Sequence, residues 1–491
     1  MNAINTDIDF SQPLKTDVVI AGAGLAGLVT GAILAKQGKR VVIIDLPPQI
    51  GGRCGSTPYK KYWIDGGHRD GSDIGDLQVG WSYGQLAAKA ADVTVPLRIV
   101  PPVVRVHHLP GTGTDGATMT PGKWGPEGFL QMSTAIFGCP EDEVNTLMTI
   151  VMKLAMADTA EREAMLPVSM IEWLKGETDS LAVQTAVLTM LKVVYCEFPE
   201  RASTGRVMAF FFQDPSVPEP QPAFANHPTV GGIQGLIQPF ADAIVERGGQ
   251  ILLGMKPACV VYEGKRATGL VAVNDANLAL EIEAHATVIA YPLWQATSLI
   301  GSAHLCSEWK TMATALEDEQ ADAICWQAGL TRAPKLRSTG EPDSHLGWNR
   351  VLTGPGKGYN GGWHLPSLAS QAMAPPGHHM LHAFVGRWLE KSETVSWQES
   401  KKQIGRVRDY LYEFYSDLDE CVEWSAYQLV ERPACLAWIW AGVKRHGVRV
   451  PGVDGLYIAS TTMESDGGPV DIGAHAGLEA SKAISEDFAA S

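Results

Sequence analysis

The sequence predicts an α/β protein built on a parallel sheet, with a further α+β region. Three observations predict it. A β-branched run near the N-terminus leads into a glycine-rich turn and a helix, an acidic residue closes the next strand, and a strand, glycine loop and helix recur near the C-terminus.

The first observation is Asp17 to Arg53, the stretch around which the rest is organised. Val18-Val19-Ile20 suits a strand buried on both faces. Gly22-Ala23-Gly24-Leu25-Ala26-Gly27 follows as a G-x-G-x-x-G between strand and helix. Gly22 allows the tight turn, Gly24 lets a pyrophosphate approach the backbone at Leu25 and Ala26, and Gly27 lets helix and strand pack closely. The helix stops near Gly38, and Arg40 to Ile44 is a second buried strand ending in Asp45. That carboxylate lies 23 residues after Gly22 and is placed to take both hydroxyls of a ribose. Val18 to Ala35 is also eighteen uncharged residues, the length of a membrane span. Three glycines in six residues and the strand–turn breaks argue against one.

Length and composition bound the rest. A chain of 491 residues exceeds one ordinary core and divides into two or three domains. With 45% hydrophobic and 19% charged residues it is globular. A net charge of −15 disfavours nucleic acid and leaves at most peripheral contact with an anionic membrane. Eight scattered cysteines without C-x-x-C or metal-like spacing fit a reduced, cytoplasmic protein with no metal site. The polar, acidic N-terminus carries no secretory or transit signal.

After Asp45 come Gly51-Gly52-Arg53, whose guanidinium and glycine N–H groups suit a pyrophosphate. Dinucleotide turn, acid and GGR together resemble the flavoprotein superfamily of amine oxidases, protoporphyrinogen oxidase and phytoene desaturases. The resemblance implies a discontinuous Rossmann-like FAD-binding domain and a second α+β substrate domain. It implies that Gly22, Gly24, Gly27 and Asp45 hold the ADP half of FAD, and that Gly51, Gly52 and Arg53 follow the pyrophosphate and ribityl chain. The family acid is usually Glu; Asp45 is shorter with the same acceptors. Tyr62 to Gly71 resembles the family's strand and glycine turn beside the isoalloxazine. Gly66 and Gly67 are then flavin contacts, and His68 and Arg69 are candidates for flavin or substrate contact or for a solvated turn.

From Gln85 to Ala225 apolar residues recur at three- and four-residue intervals, as in Val144-Leu147-Met148-Val151, and predict a mostly helical insertion over the cofactor. Gly111 to Gly116 also fits G-x-G-x-x-G but follows His107-His108-Leu109-Pro110; it reads as a loop. Gly231-Gly232 opens a helix to Gly248-Gly249, then a strand at Gln250 to Leu253 and a hairpin, an order that strongly resembles the phytoene-desaturase branch. The family's adenine-contact position falls on Pro257, which has no N–H to give, so no adenine residue is assigned. Strands are predicted at Cys325–Leu330, Leu346–Val351 and Met380–Trp388, and a helix at Glu399–Tyr415. His378, His379 and His382 fall on opposite sides of a strand without an acidic or cysteine partner, so no metal is predicted.

Gly455 to Ser460 is the returning strand, and a helix opens at Gly467-Gly468-Pro469-Val470-Asp471-Ile472. This matches the family's C-terminal flavin element, where free helix N–H groups meet the flavin pyrimidine. Gly468 to Ile472 are its cofactor contacts, with Ser460 near the ribityl or phosphate region. The family's acidic strand end is Ala459-Ser460 here, and the aromatic residue amine oxidases place before this helix is Gly/Pro.

The domains expected are 1–90, 226–298 and 441–491 for FAD, and 91–225 and 299–440 for substrate. No second strand–GxGxxG–helix unit exists for NAD(P)H, so electrons leave to O2 or a quinone. The implied reaction is hydride transfer from a substrate C–H to flavin N5, making, saturating or isomerising a C=C bond in a lipophilic or alicyclic small molecule. Trp438 and Trp440 are candidates for stabilising cationic carbon, or plain core. His68 or His475 is the candidate acid or base. The alternatives are a flavin amine oxidase and a scaffold whose FAD is structural.

Overall fold

The computed structural model describes residues 8–65, 81–100, 104–108, 117–119, 126–194, 199–211, 223–352, 361–390, 396–435, 440–465 and 469–490. Strand β1 (Val18–Ala21) is buried throughout. Helix α1 (Leu25–Lys36) follows, with eleven of its twelve residues buried. A helix apolar on every side has no solvent face, and its Ala and Gly content lets neighbours approach. The uncharged eighteen-residue stretch is therefore strand, turn and helix. Among the described residues no helix is long and apolar enough to cross a membrane.

Strand β2 (Val41–Asp45) lies parallel beside β1. Later stretches supply helix α2 (Ser82–Ala91), helix α3 (Gln234–Glu246), β3 (Gln250–Leu253), β4 (Ala286–Ile289), β5 (Leu456–Ile458) and helix α4 (Pro469–Ala490). The five strands form one parallel sheet in the order β3-β2-β1-β4-β5. Helices α2, α3 and α4 all pack on α1. This is the Rossmann-like arrangement, and the chain returns to it from distant segments. Beside it, Lys256–Glu263, Arg266–Val273 and Ala279–Glu283 form an antiparallel sheet with Leu14–Lys15 on its edge. The pairing of the first two strands shifts register between Pro257 and Cys259, as suits a residue without a ladder donor.

A second large sheet has seven strands, ordered Val422–Cys435, Glu319–Leu330, His379–Glu390, Gly361–His364, Trp348–Leu352, Val104–His108 and Ala117–Met119. The predicted strands and the predicted helix, observed at Trp397–Phe414, are all present. Two strands come from the stretch expected to be mostly helical. Val104 and Val106 are buried on one side of Arg105, the two-residue period of a strand. A strand therefore does precede Gly111–Gly116, but an antiparallel strand rather than a helix follows, and the stretch itself lies outside the described residues. A further short pair, Leu97–Ile99 with Ala223–Ala225, closes the two ends of that insertion, and its described residues are otherwise mostly helical, at Pro126–Ala135, Val144–Met156, Thr159–Met165, Met170–Glu177, Leu181–Val194 and Thr204–Phe211.

One face of the seven-stranded sheet packs Ile324, Trp326, Trp363, Ala383 and Val385 on Ile404, Val407, Leu411 and Phe414 of the helix Trp397–Phe414. The opposite face carries Gln327, Trp348, Arg350, His364, His382 and Phe384, fixed there by cross-strand partners such as His364 with His382 and Gln327 with His382. It looks toward the hairpin Ser56–Asp65, since Gln428 Nε2 donates to the Asp65 carbonyl at 3.0 Å.

Candidate functional site: a nucleotide cradle

The glycine turn, the end of β2, the turn at Gly52–Cys54, the exit of β4 and the start of α4 converge on one cavity of about 310 Å³. It sits beyond the carboxyl ends of the parallel strands, where such sheets bind ligands. Gly22 has φ +115°, closed to other residues. A Cβ on Gly27 would stand 2.1 Å from the Gly22 carbonyl oxygen, so only glycine lets α1 start this close to the turn. At Gly24 the nearest atom to such a Cβ is 3.9 Å away, which leaves the helix start approachable. No side chain caps α1, and Leu25 and Ala26 line the cavity. Unpaired helix-start N–H groups in a cavity are an anion site.

Asp45 is buried and already holds three donors: Ala23 N–H on Oδ2 at 2.8 Å, and Leu46 N–H at 2.9 Å and the Tyr291 hydroxyl at 2.6 Å on Oδ1. With these three donors in place, one acceptor position of the carboxylate is left. Arg53 ties the two ends of the chain together through a hydrogen bond from its guanidinium to Thr461 Oγ1. Gly51 and Gly52, both at positive φ, shape the turn that carries it.

On the opposite wall Ser460 lines the cavity and shares a 2.6 Å hydrogen bond with Thr462 Oγ1. Thr462 also accepts the Leu293 N–H and meets His446 Nε2 at 2.7 Å. Burial pushes the His446 pKa down to about 4, so this ring is neutral near pH 7. Next in the loop, Arg206 and Arg445 converge on Glu464. Burial works against the Glu464 charge, but the two guanidinium groups hold its pKa below the ordinary value.

Helix α4 meets the cavity through Val470 and Gly473. Pro469 is its first residue and Ile472 packs into the core. Asp471 and His475, one turn apart, face α2 instead. Asp471 Oδ1 accepts the Gly84 N–H at 2.9 Å and takes the place of a cap for α2, whose N-cap Trp81 offers none. Burial pushes its pKa up to about 7 against the pull of those backbone N–H groups. His475 stacks on Tyr83 at 4.0 Å and bonds Ser465 through Nδ1. These engagements turn both side chains toward α2, and neither lines the cavity.

Trp440 is buried in the main core with the Arg201 guanidinium 4.6 Å over its ring. Trp438, His68, Arg69, Gly66, Gly67 and Gly468 lie outside the described residues. His379 and His382 face opposite sides of their strand and His378 precedes it. No cluster able to hold a metal occurs among the described residues.

Several side chains at the site escaped the sequence. Asp65 accepts from Ser56 Oγ at 2.6 Å and from Ile233 N–H at 3.0 Å, binding the GGR hairpin to the start of α3. Gly232 is there because a Cβ would fall 2.0 Å from Asp65 Oδ1. Tyr291 and Thr462 are ordinary residues beside Pro292 and in a polar loop. The Gly-Gly pair before α3 was the one signal that a buried acid stood opposite.

The fold and cradle define a nucleotide-binding protein of the Rossmann-like class. Residues 20–69 match the family described as an NAD(P)-binding Rossmann-like domain. Over 42 residues the chain is 50% identical to all-trans-retinol 13,14-reductase of Macaca fascicularis, a match covering 9% of this chain and 7% of that protein. Among solved structures, an oxidoreductase from Methanosarcina mazei superposes with a TM-score of 0.64 at 16% identity, over 95% of this chain and 100% of that one. Cyclohexylamine oxidase from Brevibacterium oxydans gives 0.57 at 15% identity, over 96% and 99%. The likeness in sequence is confined to a small part of the relative's length, while the likeness in fold spans nearly the whole chain.

Proposed function

We propose that this protein is an FAD-dependent oxidoreductase of the desaturase and dehydrogenase type, on the phytoene-desaturase-like side of its superfamily. It would take a hydride from a C–H of a lipophilic or alicyclic substrate and, with loss of a proton from the neighbouring carbon, make a C=C bond; returning a hydride and a proton at other carbons of the same molecule would isomerise it. The observation that carries this reading is the meeting of the N-terminal glycine turn and the C-terminal strand–loop–helix on one cavity, joined by Arg53 and Thr461. An uncapped helix start, a carboxylate and a guanidinium suit a pyrophosphate with its ribose, and the open space at Gly24 gives the phosphates their approach. Gly22, Gly24, Leu25, Ala26, Asp45 and Arg53 would hold the ADP half, and Ser460 with the start of α4 the flavin-bearing half. When bound, FAD supplies the two-electron acceptor, which O2 or a quinone reoxidises.

The chain's own part is to position and enclose. The sheet face with Trp348, Phe384, His364 and His382 is buried, and it lies on the side of the GGR hairpin. A buried, aromatic wall favours an apolar substrate, and the two imidazoles are the residues there able to carry a proton. The cofactor domain is assigned to 1–90, 226–298 and 441–491, and the substrate domain to the segments between. We place the protein in the cytoplasm, where unbridged thiols such as Cys54, Cys259 and Cys325 persist.

The test is anaerobic. The FAD-loaded protein is mixed with polyenes, cyclic ketones and amines while the oxidised-flavin absorbance is followed. Bleaching by an apolar C–H donor is the expected result. The whole-chain likeness to cyclohexylamine oxidase favours amine oxidation as the second reading, and bleaching by amines alone would replace the first with it. No bleaching by any compound, together with strong FAD-dependent thermal stabilisation, would leave a structural cofactor.

A further inference from the structure

We propose that this protein reads the nucleotide's ribose through a single hydroxyl, because the Tyr291 hydroxyl fills the acceptor position of Asp45 that the second would use. The inference rests on the FAD reading and names a specificity residue within it. Asp45 is the one carboxylate lining the cavity among the described residues. A carboxylate has about four lone-pair positions. Two are taken by backbone N–H groups fixed by the fold, Ala23 on the glycine turn and Leu46 at the end of β2. The third is taken by the Tyr291 hydroxyl at 2.6 Å.

The backbone that carries this side chain is held on both sides. Ala290 N–H is bonded to the Ala21 carbonyl at 2.7 Å, and Pro292 fixes the chain as it enters the helix Leu293–Ile300. Burial, aided by the Asp45 charge, raises the phenol pKa above its ordinary value, so Tyr291 remains a proton donor at any working pH. One position on Oδ2 is left for the ligand. A ribose with two vicinal hydroxyls is then no better satisfied at Asp45 than a ribose with one.

The experiment titrates apoprotein with FAD and with its 2′-deoxyadenosine analogue, followed by flavin fluorescence. Wild type should bind the two within about threefold of each other, the size of a neutral hydrogen bond that is not made. Tyr291→Phe frees the acceptor without changing the ring. It should bind FAD about tenfold more tightly while the analogue is unchanged, since only the diol supplies the missing donor. Apoprotein carrying Tyr291→Phe should melt earlier than wild type and gain more from FAD. Tyr291→Leu carries the same expectation should the Phe variant not fold.

Weaker FAD binding by Tyr291→Phe would mean that the hydroxyl grips the nucleotide itself, and the inference falls. It falls equally if the ratio of the two affinities does not move, or if wild type already discriminates tenfold. Wild type that binds neither nucleotide would overturn the cofactor reading, a result distinct from binding without the shift in ratio.

Discussion

The nucleotide cradle and the inner face of the seven-stranded sheet are built on different principles. The cradle is made mostly of backbone: glycines at positive φ, an uncapped helix start, and a carboxylate held by main-chain donors. The sheet face is made of side chains brought together by register, His364 beside His382 and Trp348 stacked 3.9 Å over His364. Backbone geometry tolerates almost no substitution and suits a constant cofactor. A side-chain surface can be rewritten without touching the fold, which suits a substrate that differs between relatives.

The comparison breaks first, and hardest, at Gly27. Gly27→Val drives a side chain into the Gly22 carbonyl. It should cost about 3 kcal/mol in urea unfolding and abolish flavin binding, read by absorbance after gel filtration. Next comes the sheet face. His382→Leu should leave FAD affinity within about twofold and lower turnover roughly a hundredfold, the usual weight of an acid–base group. Turnover and affinity falling together would mean that the two regions are not separate.

The third test uses the side of α4 turned from the cavity. The Asp471 pKa, about 7 in the fold, lies above the ordinary 3.8, so the fold disfavours the charged form. Stability from this group is complete below about pH 4 and declines as pH rises to about 7, by roughly 2–4 kcal/mol. Asp471→Asn keeps an acceptor for the Gly84 N–H without the charge. It should remove that slope from urea midpoints measured between pH 4 and 7.5. The smallest effect belongs to the link between the chain ends. Arg53→Ala should weaken FAD about tenfold, as loss of one charge-assisted contact does, with little change in the melting temperature of the apoprotein.

The same contrast explains what could be read in advance. Gly22, Gly24, Gly27, Asp45 and Gly51–Arg53 were legible because a strand–turn–helix writes its demands into adjacent residues. The strands and the helix of the second sheet were legible as periodicity. Their partners were not: His364 meets His382 through pairing alone, and neither residue's neighbours announce it. Val104–His108 was lost because its two-residue period is short and sits among prolines at Pro101 and Pro102. The partners of His475 and Asp471 were hidden for another reason. A helix N-terminus fixes which backbone groups face the cavity, but the direction of each side chain depends on α2, some 390 residues earlier in the chain.

Helix α1 touches solvent only at one end, and much of its cover is α4. At ribosomal rates of about 5–20 residues per second, the interval between making the two is roughly 20 to 90 seconds. For that time the apolar N-terminal helix exists without its partner, and the sheet lacks its β5 edge. Until Pro469 and the residues after it are made, the cavity also lacks the wall supplied by Val470 and Gly473. Burial of α1 and completion of the cavity thus wait on the same late element.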